Sequence, residues 1–229
     1  MSDLPPYLSL SERIWYYAFR ILCGAIFFFL VFPLVVIIPL SFNAVPFFTF
    51  TKEMLAFDPA GYSLKWYEDF FTNLNWQGAV QNSVIIAIFS TLISTTLGTL
   101  AALGLSRAQM PYRTLIMSIL ISPMIVPLII SAAGMFFFYS RIGIQGTHIA
   151  VILAHAALGT PFVVITVTAT LSGFDNNLIR ASSSLGAPPS TTFFKVIVPL
   201  ITPGVISGAL FAFITSFDEV VVVLFVGSY

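Results

Sequence analysis

The chain has 229 residues, of which 58% are hydrophobic and only 8% are charged. A soluble domain is usually about 25% charged, so lipid must replace water as the solvent over much of this protein's surface. The formal net charge of zero argues against nucleic acid as a partner, because phosphate binding needs clustered cations.

Five apolar stretches are long enough to cross a bilayer, since a transmembrane helix needs about 20 mostly apolar residues. They are residues 21–42, 80–105, 115–139, 149–171 and 196–226. The sequence therefore predicts an all-α, polytopic transmembrane helix bundle. Residues 1–20 form a segment before the first span, and residues 21–229 form the transmembrane domain.

The longest linker, residues 43–78, follows the first span and carries six of the charged residues. The aromatic stretch 62–67 within it predicts a helix at the membrane interface, where Trp and Tyr prefer to sit.

The basic residues favour a cytoplasmic N-terminus. Six of the nine then lie inside: Arg13, Arg20, Arg107, Arg113, Arg180 and Lys195. The three outside are Lys52, Lys65 and Arg141. Five spans leave the C-terminus outside, directly after an apolar run, so we expect the protein to continue into at least one further span.

Two spans carry small residues at steps of four. They are Ser90, Ser94, Gly98 and Ala102 in the second span, and Gly204, Gly208, Ala212 and Ser216 in the fifth. Such ridges allow membrane helices to pack closely. Ordinary bundle packing is the simpler interpretation, and the alternative is that the ridges flank a passage.

Prolines inside the third span predict a bend. Pro123 and Pro127 each remove a backbone donor, and Pro kinks a helix. Bends are found in transporters and in inert bundles alike.

Asp218 and Glu219 are the only charged residues well inside a long apolar run. A carboxylate at mid-helix costs roughly 2.5–3.5 kcal/mol, so it needs a partner or water. On a helical wheel Glu219 falls on the small-residue face of the fifth span, and Asp218 about 40° outside it. The pair predicts a pathway for a cationic substrate; a position near the outer headgroups or a salt bridge to another subunit are the alternatives.

The two histidines stand apart, and no metal-ligand spacing is visible. His155 lies in the fourth span without an acidic residue beside it, so a hydrogen-bonded packing role is the simplest interpretation. His148 lies at an interface and has no inferred role.

The loop at about 172–198 has the pattern of a compact helix–turn–helix. Asp175 and Asn176 are suited to cap a short helix, and Gly186 fits the position that demands a left-handed backbone. Prolines follow, and Ser190 or Thr191 is placed to begin a second helix. On the cytoplasmic face, this segment is a candidate docking surface.

This loop resembles the EAA loop of the permease subunits of ATP-driven (ABC) importers of the binding-protein-dependent type I class. The resemblance rests on Arg180, Ala181, Ser182, Leu185, Gly186, Ala187 and Pro188. Stretches 62–67, 105–107 and 207–219 are similar to the PotC-type spermidine/putrescine permeases within that family. Two departures are Arg180 where the family usually has glutamate, and Ser182 where it has a second alanine.

The resemblance implies a bacterial inner-membrane protein that couples to two ATPase subunits through this loop. It also implies a second permease subunit and an extracytoplasmic substrate-binding protein. The chain has no G-x-x-x-x-G-K-[ST] loop, so ATP and Mg²⁺ are expected on the ATPase partner and no cofactor on this chain.

Polyamines are the preferred cargo because of the acidic pair. Ferric iron, thiamine or another small solute carried by the same machine is the nearest alternative. An intramembrane enzyme lacks a visible nucleophile–base pair, and a channel or ion-driven carrier would need no ATPase.

Overall fold

A computed structural model describes residues 9–107, 109–175 and 177–227. The regular secondary structure of these residues is helical, and one isolated antiparallel bridge joins Asn43 and Tyr62. The long helices are α1 (Leu10–Leu40), α4 (Leu74–Leu105), α5 (Arg113–Ile125), α6 (Leu128–Ile142), α7 (His148–Ser172) and α10 (Val198–Asp218). The short ones are α2 (Lys52–Leu55), α3 (Lys65–Thr72), α8 (Asn177–Ser184), α9 (Pro189–Thr192) and α11 (Val221–Val226). The predicted all-α membrane fold is confirmed.

The chain divides into two compact units, residues 1–77 and residues 78–229. In the first unit, α1 begins eleven residues before the predicted start of its span. Ser9 accounts for this start: its side chain accepts from the Glu12 amide, and the Glu12 carboxylate accepts from the Ser9 amide. This capping box satisfies backbone donors that otherwise have no partner in the helix.

The linker after α1 is organised around Asn43, whose side chain is 2% exposed. Its amide donates to the carbonyls of Phe47 and Thr49, and its own carbonyl accepts from the Trp66 ring at 2.8 Å. The interfacial helix predicted at residues 62–67 instead begins at Lys65 and runs to Thr72, because Tyr62 is extended and pairs with Asn43.

The second unit is organised around α7, which has more buried residues than any other described helix. A first apolar cluster joins α7 to α6 and α11 and includes Ala132, Val151 and Val222. A second cluster joins α7 to α4 and α10 and includes Ala102, Val163 and Ala212. The helix thus packs against neighbours along both halves of its length.

The third predicted span is two helices that meet at an angle of 103°. Val126, between them, has an extended backbone, as expected of a residue that precedes a proline, and Pro127 then caps α6. The bend predicted from Pro123 and Pro127 is present, but it is a full break and not a kink in one helix.

Of the helices in the described part of the chain, four are long and apolar enough to cross a membrane. They are Leu10–Leu40, Leu74–Leu105, His148–Ser172 and Pro189–Asp218. The bent pair makes five if it counts as one span.

The prediction of one continuous helical run over residues 196–226 is wrong. The run starts earlier, at Pro189, and contains a π-helical turn at Phe193–Ile197. It stops at Asp218, and Glu219 is extended with φ −82° and ψ 108°. The short helix α11 follows as a separate element.

Candidate functional site

Two stripes of small residues form buried faces of α4 and α10. The stripe on α4 consists of Ser90, Ser94, Gly98 and Ala102. The stripe on α10 consists of Gly204, Gly208, Ala212 and Ser216. Both meet α7, where a Cβ added to Gly159 would lie 2.8 Å from Ser94 Oγ and 3.0 Å from Ala212 Cβ. The three helices therefore share one tightly packed seam.

Glycines bring these helices into backbone contact. A Cβ added at Gly208 would lie 2.8 Å from Val163 Cα, and one added at Gly98 would lie 2.6 Å from Val163 Cβ. A Cβ added at Gly204 would lie closer still to the Thr170 hydroxyl. Such distances leave no room for a side chain, so the seam depends on these glycines. Close approach of this kind is how helices associate where water is absent.

A chain of hydrogen bonds crosses the seam at its α11 end. The Ser90 hydroxyl donates to the Ile86 carbonyl on its own helix. Ser216 Oγ lies 3.2 Å from Ser90 Oγ, and His155 Nδ1 lies 2.9 Å from Ser216 Oγ. His155 is 2% exposed, and among the described residues its Nε2 atom has no hydrogen-bond partner.

A cavity of about 230 Å³ lies at this end of the seam. Its polar lining comes from three helices and the segment after α10, and includes Asn82, Ser83, His148, His155 and Glu219. The polar atoms available are amide, hydroxyl, imidazole and carboxylate groups. A cavity with this lining is suited to a small polar ligand that donates hydrogen bonds.

The acidic pair sits where α10 gives way to α11: Asp218 is the last residue of α10, and Glu219 lies just beyond that helix. The wheel position predicted for Glu219 therefore does not apply. Its Oε1 atom accepts from the Val222 amide at 3.0 Å, near the N-terminus of α11. A carboxylate inside an apolar helix is costly, whereas one at a helix N-terminus is stabilised by free amides. Asp218 is exposed, and Glu219 is half-buried beside the cavity.

The predicted cytoplasmic loop forms a helical hairpin of α8 and α9, which we call the coupling hairpin (residues 177–192). Asp175 accepts from the Asn177 amide at 2.9 Å, while Asn176 lies outside the described residues. Gly186 has φ +77°, so the predicted left-handed residue is confirmed. Its amide donates to the backbone carbonyl of Ser183, and the Ala187 amide donates to the backbone carbonyl of Ser182.

These two bonds form the Schellman arrangement that ends a helix. The second helix begins at Pro189 and not at Ser190 or Thr191 as predicted. Proline suits the first helical position, because the missing amide has no helical partner there. A bond of 2.8 Å between the Ser182 and Thr192 hydroxyls joins the two helices.

Most of the residues on which the resemblance of this loop rests are exposed at the surface of the coupling hairpin. Arg180, Ala181, Gly186 and Pro188 are exposed, and Leu185 is 87% exposed at the turn. Ser182 and Ala187 are half-buried. An exposed leucine on a rigid turn is the kind of residue that a partner protein covers.

Sequence reasoning did not connect His155 with Ser216 and Ser90. In the sequence both serines belong to stripes that predict helix packing, and His155 has no acidic residue in its own helix to mark it as a partner. The one feature of the sequence that points to this contact is that Ser216 continues the α10 stripe toward the acidic pair. That α7 packs against this stripe is visible only in the three-dimensional structure.

Comparisons with known proteins give consistent matches. The sequence model of the family described as "Binding-protein-dependent transport system inner membrane component" matches residues 94–229. The spermidine/putrescine transport system permease protein PotC of Haemophilus influenzae is 32% identical over 201 residues, covering 88% of this chain and 75% of that protein. The putrescine transport system permease protein PotI of Escherichia coli is 28% identical, covering 87% of this chain and 71% of that protein.

A solved structure matches with a TM-score of 0.67 and 17% sequence identity. It is the crystal structure of a bacterial ABC transporter involved in the import of the acidic polysaccharide alginate. The match covers 93% of this chain and 74% of that one. At this identity the likeness concerns the fold alone.

Proposed function

Because the chain belongs to the family of binding-protein-dependent transport system inner membrane components, we propose that it is the permease subunit of an ATP-driven polyamine importer. Its place among the inner-membrane permeases agrees with the resemblance found in its sequence and with its several apolar helices. The N-terminus and the coupling hairpin are assigned to the cytoplasm on the distribution of basic residues.

In the proposed assembly, two ATPase subunits bind ATP and Mg²⁺, and a second permease subunit completes the pathway. An extracytoplasmic binding protein delivers the cargo. This chain contributes transmembrane helices and no nucleotide site. Transport then proceeds by alternating access, in which closure of the ATPase pair moves the coupling hairpin. This movement reaches α10 directly, because α9 and α10 belong to one helical run from Pro189 to Asp218.

The exposed coupling hairpin is the observation that carries the coupling role. Its turn is held by two backbone hydrogen bonds, from the amides of Gly186 and Ala187, and by the bond between the Ser182 and Thr192 hydroxyls. Such a turn moves as a unit when it is pushed. Leu185 projects from it with 87% of its surface free for an ATPase cleft. Arg180 is exposed on the same hairpin, and we expect the facing position of the partner to suit a cation.

Co-purification with the ATPase subunit tests the coupling role. Deletion of residues 176–190 should abolish co-purification, and Leu185→Asp should weaken it strongly because a charge would enter an apolar contact. Leu55→Asp is the matched control, since Leu55 is also exposed, at 67%, but lies in the linker before α3. Undiminished capture of the ATPase by the deletion variant would refute the coupling role, as would transport at full rate without any ATPase.

Polyamines are the proposed cargo on two grounds. PotC and PotI are named for spermidine and putrescine transport. Within this chain, Asp218 and Glu219 bring two carboxylates to the junction of α10 and α11, and Glu219 lines a polar cavity there. Carboxylates beside a pathway attract a di- or trication.

Neutralising the acidic pair tests this cargo assignment. Asp218→Asn and Glu219→Gln together should lower the uptake of spermidine and putrescine by roughly tenfold, equivalent to about 1.4 kcal/mol. Glu219→Gln keeps a side-chain oxygen for the Val222 amide, so the helix cap and the assembly of the complex should survive. Unchanged polyamine uptake by an assembled double variant would remove the pair from the pathway.

A further inference from the structure

The hydrogen-bond chain at His155 fixes the direction of each bond. A serine hydroxyl carries one proton, and that of Ser90 goes to the Ile86 carbonyl. Ser90 therefore accepts from Ser216, whose own proton is then committed. Ser216 can only accept from the imidazole, so Nδ1 of His155 is the protonated nitrogen.

With its proton on Nδ1, the neutral ring carries a bare lone pair on Nε2. Among the described residues nothing donates to this atom, although only 2% of the surface of His155 is exposed. A charged ring would need a second acceptor there and a counter-charge, because an unpaired buried cation is very unfavourable. The site therefore lacks one hydrogen-bond donor.

The position of His155 indicates where this donor would come from. His155 lines the cavity that Asn82, Ser83 and Glu219 also line. The Nε2 atom is itself covered in this conformation, so a donor in the cavity can reach it only if part of the covering wall moves. The α11 segment supplies part of that wall and is joined to α10 by the non-helical residues 219–220.

We propose that this cavity is a subsite for one ammonium end of the transported amine, with His155 Nε2 as its neutral hydrogen-bond acceptor and Glu219 as its counter-charge. An ammonium group has three donors and no acceptor, which suits a lone pair, a carboxylate and the oxygens of Asn82 and Ser83. In the described part of the chain no three His, Cys, Asp or Glu side chains are grouped to hold a metal ion, so an organic cation fits better. The assignment rests on the proposed function and names the contact for its cargo.

Two substitutions of His155 separate ligand binding from packing. His155→Asn places an amide near the Nδ1 position, which keeps the donor to Ser216 and removes the Nε2 acceptor. His155→Gln is longer and places a side-chain oxygen near the Nε2 position. Ser94→Ala is the control, because Ser94 is also buried in the seam and bonds to the Ala156 carbonyl, but does not line the cavity.

The assay uses the complete complex in proteoliposomes with its binding protein, and putrescine as the probe. The measured quantity is putrescine transported per ATP hydrolysed, together with the Tm of the complex. His155→Asn should lower this ratio by about tenfold, the effect of losing one hydrogen bond to a charged group, while His155→Gln stays close to the wild type. Ser94→Ala should change the Tm only.

Equal losses in the Asn and Gln variants, in step with a lower Tm, would show that His155 only packs and would overturn the proposal. An Asn variant that transports like the wild type would overturn it as well, with water as the occupant of the cavity. Failure of the polyamine assignment has a different signature, since the wild-type complex itself would then move no putrescine.

Discussion

Gly208 shows how closely single residues control the packing of this protein. A Cβ at this position would lie 2.5 Å from Thr166 Oγ1 and 2.8 Å from Val163 Cα. A threonine hydroxyl can rotate away, but the Val163 backbone moves only with α7. The added Cβ would therefore press against α7, which cannot shift freely because it also packs against α6 and α11.

We expect Gly208→Ala to destabilise the protein by about 1–3 kcal/mol, the usual range for overpacking. The Tm of the purified protein in detergent should fall, by about 2–4 °C for each kcal/mol in a chain of this size. The reason is that α7 and α10 must separate to admit the methyl group.

Gly134→Ala is the matched control. Gly134 also lies inside a helix, but within the described part of the chain nothing would lie within 4 Å of the added Cβ. Alanine is the better helix former by up to about 1 kcal/mol, so its Tm should hold or rise. Equal falls in Tm for both variants would contradict the importance of the α7 contact.

The stripes on α4 and α10 could be predicted from sequence because small residues recur at steps of four in both. Their common partner could not. Buried residues on α7, such as Val151, Ala156 and Val164, lie on several sides of the helix, and a helix buried in this way has no distinctive period. The Ser90–Ser216–His155 contact could not be predicted from sequence for the same reason.

At the scale of the helix, the turn of the coupling hairpin depends on Gly186. Its φ of +77° lies in the left-handed region, where an L-residue with a Cβ pays roughly 1–2 kcal/mol. Both bonds that end α8 converge on this turn, from the amides of Gly186 and Ala187. The presentation of Leu185 therefore depends on one backbone conformation.

Gly186→Ala should weaken binding of the ATPase subunit by roughly tenfold, because about 1.4 kcal/mol of strain must be overcome to present the same turn. Titration of the ATPase onto the detergent-solubilised permease measures this affinity. Gly186→Asn should be milder, since asparagine tolerates the left-handed conformation.

Gly173→Ala serves as the comparison at another helix end. Gly173 has φ −88°, and its added Cβ would be 3.7 Å from the Thr170 carbonyl, an ordinary contact. It should leave ATPase affinity unchanged. A similar loss of affinity at both glycines would mean that the left-handed turn has no special role.

Helix ends could be predicted where a local side chain or proline determines them. Gly186 ends α8 as expected, and the proline pair interrupts the third span. The end of α10 could not be predicted, because residues 209–226, which surround Asp218 and Glu219, contain neither Gly nor Pro. A continuous helix would place a carboxylate in an apolar environment, whereas a break in the helix costs backbone hydrogen bonds. The break is favoured because Glu219 then accepts from the Val222 amide and caps α11.

For the whole molecule, the bent pair of α5 and α6 determines the topology. If the pair crosses the membrane, the chain has five spans, and the linker before α3 and the coupling hairpin face opposite sides. If it turns back on one side, those two segments face the same side. The distribution of basic residues favours the crossing, since it leaves Arg180 and Lys195 with the other cytoplasmic cations.

Cysteine labelling in intact membranes distinguishes these topologies. The chain has one cysteine, Cys23, and its replacement by serine gives a background for single cysteines at three exposed positions: Phe57, Gln145 and Leu185. We expect a membrane-impermeant maleimide added from outside to label the first two and to spare the third until the membrane is opened. Labelling of Phe57 and Leu185 but not Gln145 would mean that α5 and α6 re-enter on one side, and the coupling hairpin would then be unable to reach a cytoplasmic ATPase.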